Sequence, residues 1–330
     1  MVNAGMWFNC DDGAKLFIHQ WQPDLSDDKG PSKPGLVLHI VHGMAEHGLR
    51  YKKLAEKLSI HNIEVWAPDH RGHGKTADLS VNYPDRGGRL GHCADRNSFD
   101  TVTKDVHAIN TLIRQTYPDI PLVLMGHSWG SFISQNYIEK YSNEQAGIDG
   151  CILSGTRGPG DFLVKAGLPL MNIIAFVHGS RNRSPLARAL ADGSYNKPFK
   201  PNRTAFDWLS RDEQEVDAYV ADPLCGFLCS SGFYRDLTYG LNKIHKPDAM
   251  SRIRTSLPVY VVCGSADPVG DMGASPTALV NIYRSLGIKD LEFILYPGAR
   301  HETLNETNQE EVMDNLVSWI NRHYGITTGD

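Results

Sequence analysis

The sequence predicts an α/β fold, a mostly parallel, doubly wound sheet carrying a mainly helical cap insertion. Three observations predict it. Short apolar, β-branched runs alternate with longer helical patterns along the chain. Several of those runs are apolar throughout, as strands are when helices cover both faces of a parallel sheet. The alternation then stops between about residues 156 and 256 and afterwards resumes.

The strand-like runs are "LFIHQW" (16–21), "GLVLHIVHG" (35–43), "IEVWAPD" (63–69), "PLVLMGH" (121–127), "GCILSG" (150–155), "PVYVVCG" (258–264) and "LEFILYP" (291–297). Between them lie amphipathic stretches such as "SFDTVTKDVHAINTLIRQTY" (98–117) and "QEEVMDNLVSWINRH" (309–323). Another helix is expected to begin near Trp129. Residues 156–256 show helical patterns and turn clusters but no convincing strand. The chain thus divides into a first part of the core (1–155), a helical cap (156–256) and a second part of the core (257–330). The cap should lie over the C-terminal edge of the sheet, where ligands bind in open α/β sheets.

The cap opens with "FLVKAGLPLMNIIAFV" (162–177). This is either packing between cap and core or a patch that makes transient contact with a membrane surface. Residues 178–204 carry six Lys/Arg against one Asp, and residues 205–222 carry six acids against one Arg. The basic stretch reads as a solvated face or as a rim for an anionic headgroup.

Composition narrows the function class. At 41% hydrophobic and 22% charged, with 31 Gly and 18 Pro in 330 residues, this is an ordinary soluble globular composition. A net charge of −5 gives no reason to expect nucleic acid. The start "MVNAGMWFNCDDGAKLF" lacks a basic end and an apolar core, so no signal peptide is expected. No run near 18 residues is apolar enough to span a membrane. The six cysteines are scattered, and Cys225 and Cys229 have no second pair to complete a zinc site. A reduced, cytoplasmic protein is expected, peripheral at a membrane if the cap touches one.

The stretch "LVLMGHSWGSF" (122–132) places Ser128 between Gly126 and Gly130, directly after a strand and before a helix. Two glycines permit a sharp turn that pushes a serine hydroxyl out at the sheet edge. A serine hydroxyl needs a general base, and that base needs an orienting carboxylate. With this elbow the partners follow in the order acid, then histidine. "VVCGSADPVGD" puts Asp267 just after a strand, and "YPGARHETLNE" puts His301 just after the next. The rivals are placed less well. Asp271 sits further from its strand end, His178 and His245 fall in the insertion, and His323 lies in a terminal helix. An oxyanion would need two backbone donors. The amide of Trp129 is one, and the amide of Met44, in "HGMAEHGLRY", is the other. "DHRGHGKT" gathers Asp69, His70 and His73, but a strand end entering a glycine-rich turn accounts for it, so neither metal nor cofactor is expected.

"HGMAEHGLRY", "DHRGHGKT", "GHSWGS", "SRDEQEVDAYVADPL", "CGSADPV" and "RHETLNE" together resemble the monoacylglycerol lipase and lysophospholipase group of α/β-hydrolases, within the serine aminopeptidase S33-like family. The blocks run from residue 42 past 300 and include part of the cap. The resemblance implies an α/β-hydrolase fold and a carboxylester hydrolase with Ser128, Asp267 and His301 as triad and Met44 and Trp129 as oxyanion donors. It implies a small single-chain lipid ester as substrate, monoacylglycerol or lysophospholipid, whose alcohol end meets Glu46, Arg50, His127 and Tyr219. Glu46 and Arg50 also read as a structural ion pair shaping the oxyanion loop, and His127 as a packed strand-end histidine. Two positions depart from the group. Leu304 stands where animal monoacylglycerol lipases carry a second histidine, and Trp129 stands where methionine usually follows the serine, as in proline iminopeptidases. A proline-iminopeptidase-like peptidase therefore stays open, with the acidic stretch 205–222 as its site for a free α-amine. A non-catalytic binding protein on the same scaffold is the third reading, and the intact triad opposes it.

Overall fold

The computed structural model describes residues 2–23, 26–27, 30–31, 33–144, 147–160 and 162–326. The side chains at 2–3, 26–27, 30–31 and 162–166 lie outside the described set, so the first five positions of the apolar stretch 162–177 are described only as backbone.

Strands β1 (Val2–Asn9) and β2 (Lys15–Gln22) form an antiparallel hairpin. A two-residue pair, β3 (Ser26–Asp27) and β4 (Gly30–Pro31), stands apart from the main sheet. Strands β5 (Leu36–Val41), β6 (Ile63–Pro68), β7 (Leu122–His127), β8 (Gly150–Ser154), β9 (Val259–Gly264) and β10 (Leu291–Tyr296) complete an eight-stranded sheet ordered β1-β2-β6-β5-β7-β8-β9-β10. β2 meets β6 antiparallel, and from β6 to β10 every pairing is parallel. The expected fold class is observed.

Two helical layers cover the sheet. β5 shows why its residues are apolar throughout: Val37 and Val41 enter one core cluster, and Leu36, Leu38 and Ile40 enter the other. On one side, α1 (Lys52–Ile60) brings Leu54 and Leu58 to the second cluster. On the other, α2 (Ser98–Thr116) brings Val102, Val106, Ile109 and Ile113 to the first, beside α3 (Trp129–Tyr141) with Ile133 and Tyr137. Each such side chain contributes about 1.5–3 kcal/mol when fully buried.

Between β8 and β9 the chain forms α4 (Phe162–His178), α5 (Pro185–Ala191), α6 (Glu213–Ala221), α7 (Ser231–Ile244) and α8 (Pro247–Met250), with no strand among the described residues there. α7 packs against α4 and also against α2 and α3, which anchors this helical segment on the body. Asp236 on α7 accepts from the Ser98 N–H and hydroxyl at 2.7 and 2.9 Å, placing a carboxylate at the positive end of α2. After β9, α9 (Ala274–Ser285) joins the first cluster and α10 (Gln309–Tyr324) the second.

The edge strand β1 of the main sheet is absent from the sequence reading, as is the short pair β3 and β4. "VNAGMWFN" is poor in β-branched residues and carries Gly5. Its partner strand compensates. The Phe17 ring covers Gly5 so closely that a Cβ there would lie 2.4 Å from it, and Trp7 meets the same ring edge-on at 5.1 Å.

Candidate active site

Every parallel strand ends on the same edge, and the candidate residues leave from there. β7 stops at His127, α3 begins at Trp129, and Ser128 between them has φ 52° and ψ −123°. A non-glycine residue rarely holds such angles, and they mark a strained turn. The turn is braced. The Ser128 N–H donates to Ser154 O at 2.9 Å, and Ser128 O accepts from the Ser131 N–H at 2.8 Å. Both flanking glycines are required by close approach. A Cβ on Gly130 would lie 1.9 Å from Val41 O, and one on Gly126 would lie 2.3 Å from Ser134 Oγ. His127 and Trp129 are buried, whereas Ser128 opens into a cavity.

Asp267 follows β9 and is fully buried; His301 follows β10 and is nearly so. His301 Nδ1 donates to Asp267 Oδ2 at 2.9 Å, and Asp267 Oδ1 accepts from the Val269 N–H at 2.8 Å. With Nδ1 protonated toward the carboxylate, the neutral imidazole presents a lone pair at Nε2. That atom is buried with no partner among the described residues, and His301 and Ser128 line the same small cavity. Burial alone would lower the His301 pKa. The charge and hydrogen bond of Asp267, joined by Glu302 and Glu46, outweigh burial and raise it above its usual 6.5. The rivals lie elsewhere: Asp271 and His178 are exposed, His323 bonds Asp290, and His245 bonds Gln135.

Met44 lies in the loop after β5, and a Cβ on the preceding Gly43 would be 3.1 Å from the Ser128 Cβ. Neither the Met44 nor the Trp129 amide donates to an acceptor among the described residues, and both residues line the cavity with Ser128. The loop is held by a buried network. Glu46 Oε1 accepts from the Gly43 N–H at 2.5 Å and from the Tyr51 hydroxyl at 3.0 Å. Arg50 Nη1 reaches Glu46 Oε2 at 2.7 Å, and the Arg50 guanidinium lies 4.8 Å from the Tyr219 ring centre. The Tyr219 hydroxyl donates to Ala45 O at 2.9 Å, as does the Gly226 N–H. Burial would raise the Glu46 carboxyl, but the charges of Arg50 and His127 hold it well below the usual range. The ion-pair reading of Glu46 and Arg50 matches this geometry. Glu46, His127 and Tyr219 line a small cavity together with Ser128 and His301, while Arg50 lines an adjoining one with Glu302 and Leu304.

The larger of the two cavities that Ser128 lines holds about 200 Å³ and is mostly apolar, lined by Met44, Trp129, Phe132, Met171, Leu237, Leu241 and Val269, with Arg157, Asp192 and Tyr195 among them. Three site residues were not legible in the sequence. Trp208 stacks tilted over His301 with ring centres 5.1 Å apart, Glu302 grips Arg50, and Arg157 enters the cavity. Only Glu302 had a signal, its place directly after His301.

The "DHRGHGKT" turn is organised by hydrogen bonds. Asp69 accepts from the Gly48 and Lys75 amides at 2.8 Å each, and His70 N–H donates to His42 Nε2 at 3.0 Å. Donor groups within metal reach of one another occur at His47, Asp222 and Cys225 and at Asp290, Glu292 and His323. In the first of these, His47 Nε2 already bonds Asp222 at 2.9 Å.

Comparison with known proteins fits this arrangement. The chain is 29% identical over 313 residues to a monoacylglycerol lipase of Mycolicibacterium smegmatis, covering 94% of each chain. It is 26% identical to human monoglyceride lipase, covering 94% of this chain and 88% of that one. Among solved structures, a thermostable carboxyl esterase of Bacillus coagulans in complex with glycerol superposes with a TM-score of 0.84 at 26% identity, covering 98% of this chain and 99% of that one. The model of the family described as serine aminopeptidase, S33, matches residues 32–308, so the chain belongs to that family, as an α/β-hydrolase enzyme similar to the monoacylglycerol lipases.

Proposed function

We propose that the protein hydrolyses single-chain lipid esters, monoacylglycerols or lysophospholipids, through a serine acyl-enzyme. The observation that carries this reading is the apolar cavity opening on Ser128 beside Met44 and Trp129, a space suited to an acyl chain. His301 Nε2 takes the Ser128 proton as Oγ bonds to the ester carbonyl carbon. The resulting oxyanion meets the N–H groups of Met44 and Trp129. Collapse breaks the ester C–O bond, and the alcohol leaves with the proton from His301. Water then repeats the sequence on the acyl-enzyme and releases the fatty acid. Asp267 keeps His301 in the productive tautomer and stabilises the imidazolium. The alcohol sits against Glu46, His127 and Tyr219, with Arg50 positioning Glu46.

The peptidase reading placed its amine site in the acidic stretch 205–222, and that stretch is engaged elsewhere. Within 205–222, Asp207 accepts from Arg203 and Thr204 amides, Glu215 pairs with Lys53, Asp217 with Arg203 and Asp222 with His47. None of the acids of 205–222 lines the cavities beside Ser128. The membrane reading of the cap has support in α4, where Leu170, Ile173, Phe176 and Val177 are exposed along one helical face. No helix among the described residues is long and apolar enough to cross a membrane. A lipid surface met by that face would deliver substrate to the cavity below.

The test is kcat/KM for octanoyl esters of glycerol and of glycerophosphocholine, with a fluorophosphonate label and Ser128→Ala as controls. Labelling and turnover that vanish together in the variant support the reading; aminoacyl amides as better substrates than either ester would overturn it.

A further inference from the structure

Two charged side chains that line the acyl cavity each carry a buried polar atom without a hydrogen-bond partner among the described residues. Arg157, just beyond β8, lines the cavity with Ser128, yet its side chain makes no hydrogen bond or ion pair with the described residues, and its Nε is buried without an acceptor. Arginines elsewhere in the body are engaged: Arg50 holds Glu46 and Glu302, and Arg71 holds Asp12 and Asp105. Asp192, at the end of α5, lines the same cavity, and its Oδ1 is likewise buried without a donor. Its other oxygen pairs loosely with Arg188 at 3.8 Å. Burial pushes the Asp192 carboxyl up to about 6, with Arg188 and the residue's own backbone amide opposing. Both groups act on Tyr195, whose phenol is raised by burial, lowered by Arg157 and raised by Asp192.

A guanidinium offers only donors and a carboxylate only acceptors. An unsubstituted acyl chain would bury both and match neither, which is unfavourable. A hydroxyl does both jobs, accepting from one and donating to the other. A carboxylate on the chain would meet Arg157 well but would be repelled by Asp192. We propose that Arg157 and Asp192 form a specificity site for a hydroxyl group on the acyl chain, so that hydroxyacyl esters are substrates. This rests on the acyl-ester reading of the cavity.

The experiment compares kcat/KM for octanoylglycerol with a positional series of monohydroxylated octanoyl glycerol esters, in the wild type, Arg157→Met and Asp192→Asn. A purely apolar pocket would disfavour an added hydroxyl by up to about a hundredfold. In the wild type, the best hydroxylated ester should match or exceed the unsubstituted one. In Arg157→Met, the ratio of hydroxylated to plain ester should fall at least tenfold, with a smaller fall in Asp192→Asn. The ratio is internal to each preparation, so partial misfolding of a variant leaves it unchanged. If every hydroxylated ester is disfavoured more than tenfold in the wild type, or if Arg157→Met leaves the ratio unaltered, the specificity site is overturned while ester hydrolysis stands. If no octanoyl ester is turned over, the acyl-ester reading itself fails.

Discussion

Arg50 donates through Nη1 and Nη2 to the two oxygens of Glu302 at 2.7 and 2.8 Å, and Glu302 is the residue after His301. The same Nη1 reaches Glu46, which holds the Gly43 amide. One guanidinium therefore ties the loop that carries Met44 to the loop that carries His301. Removing it leaves two carboxylates buried together, and breaking such a pair typically costs about 3–5 kcal/mol. Arg50→Met should lose stability on that order in urea unfolding and lower kcat/KM as the two loops loosen. Arg50→Lys restores the charge but not the two-pronged geometry, so it should recover only part of the loss. A change below about 1 kcal/mol for Arg50→Met would show that the network is not holding the loops.

Catalysis should collapse when either end of the relay is removed. Ser128→Ala is expected to lose at least about 10⁴-fold in kcat with the fold intact, because triad members act as a unit. Asp267→Asn should lose about 10⁴-fold, since an amide in place of the carboxylate favours the wrong tautomer of His301. Single-turnover ester hydrolysis and far-UV circular dichroism measured on the same samples check both. Retention of more than a tenth of the activity by either would remove that residue from the triad.

The pH profile follows from the environment of His301. Only the neutral imidazole can accept the Ser128 proton, and the Asp267 charge raises the pKa above 6.5. Activity should therefore rise with pH, with the midpoint in kcat/KM above 6.5. In Asp267→Asn the largest attraction is gone, and burial, which opposes protonation, is countered only by Glu302 and Glu46. The residual activity of that variant should rise at lower pH than in the wild type. A flat wild-type profile between pH 5 and 8, or a shift of the variant in the opposite direction, would contradict His301 as the base.

Much of the candidate site was legible because its parts sit where local signals are strong. Ser128 is bracketed by glycines that close packing demands, and Asp267 and His301 follow apolar strand runs directly. The parallel strands could be read because burial on both faces makes them apolar throughout. β1 escaped because an edge strand needs no such pattern, and its stability comes from Phe17 and Trp7 across the hairpin. Trp208, Arg157 and Asp192 escaped for another reason. Their roles arise from how the segment between β8 and β9 folds back on the sheet, and no spacing in the sequence encodes that contact. The opposed charge blocks of 178–204 and 205–222 show the same limit. The basic block read as a solvated face or a headgroup rim and the acidic block as an amine site, whereas several of these residues pair with each other or with the body, as Arg203 does with Asp217.

The substrate prediction rests on the apolar lining of the larger cavity at Ser128. Each methylene removed from water contributes about 0.8 kcal/mol, so a chain long enough to fill an apolar space should gain strongly over a short one. Octanoyl esters are expected to exceed acetyl esters of the same alcohol by at least about a hundredfold in kcat/KM. The alcohol end offers less. Leu304 supplies no hydrogen bond there, so glycerol should be preferred over other small alcohols by no more than about tenfold. Gly167, on α4, gives a direct way to test where the chain lies. It lines the cavity, and a Cβ added there meets nothing closer than the Thr238 Cγ2 at 3.8 Å. The Cβ of Gly167→Leu has room, the rest of the side chain adds bulk at the cavity wall, and leucine also favours a helix over glycine. The variant should cut octanoyl and palmitoyl ester hydrolysis at least tenfold while leaving acetyl ester hydrolysis within about twofold. Equal loss on all chain lengths would mean that the cavity is not the acyl site, and no loss on any would place the chain elsewhere.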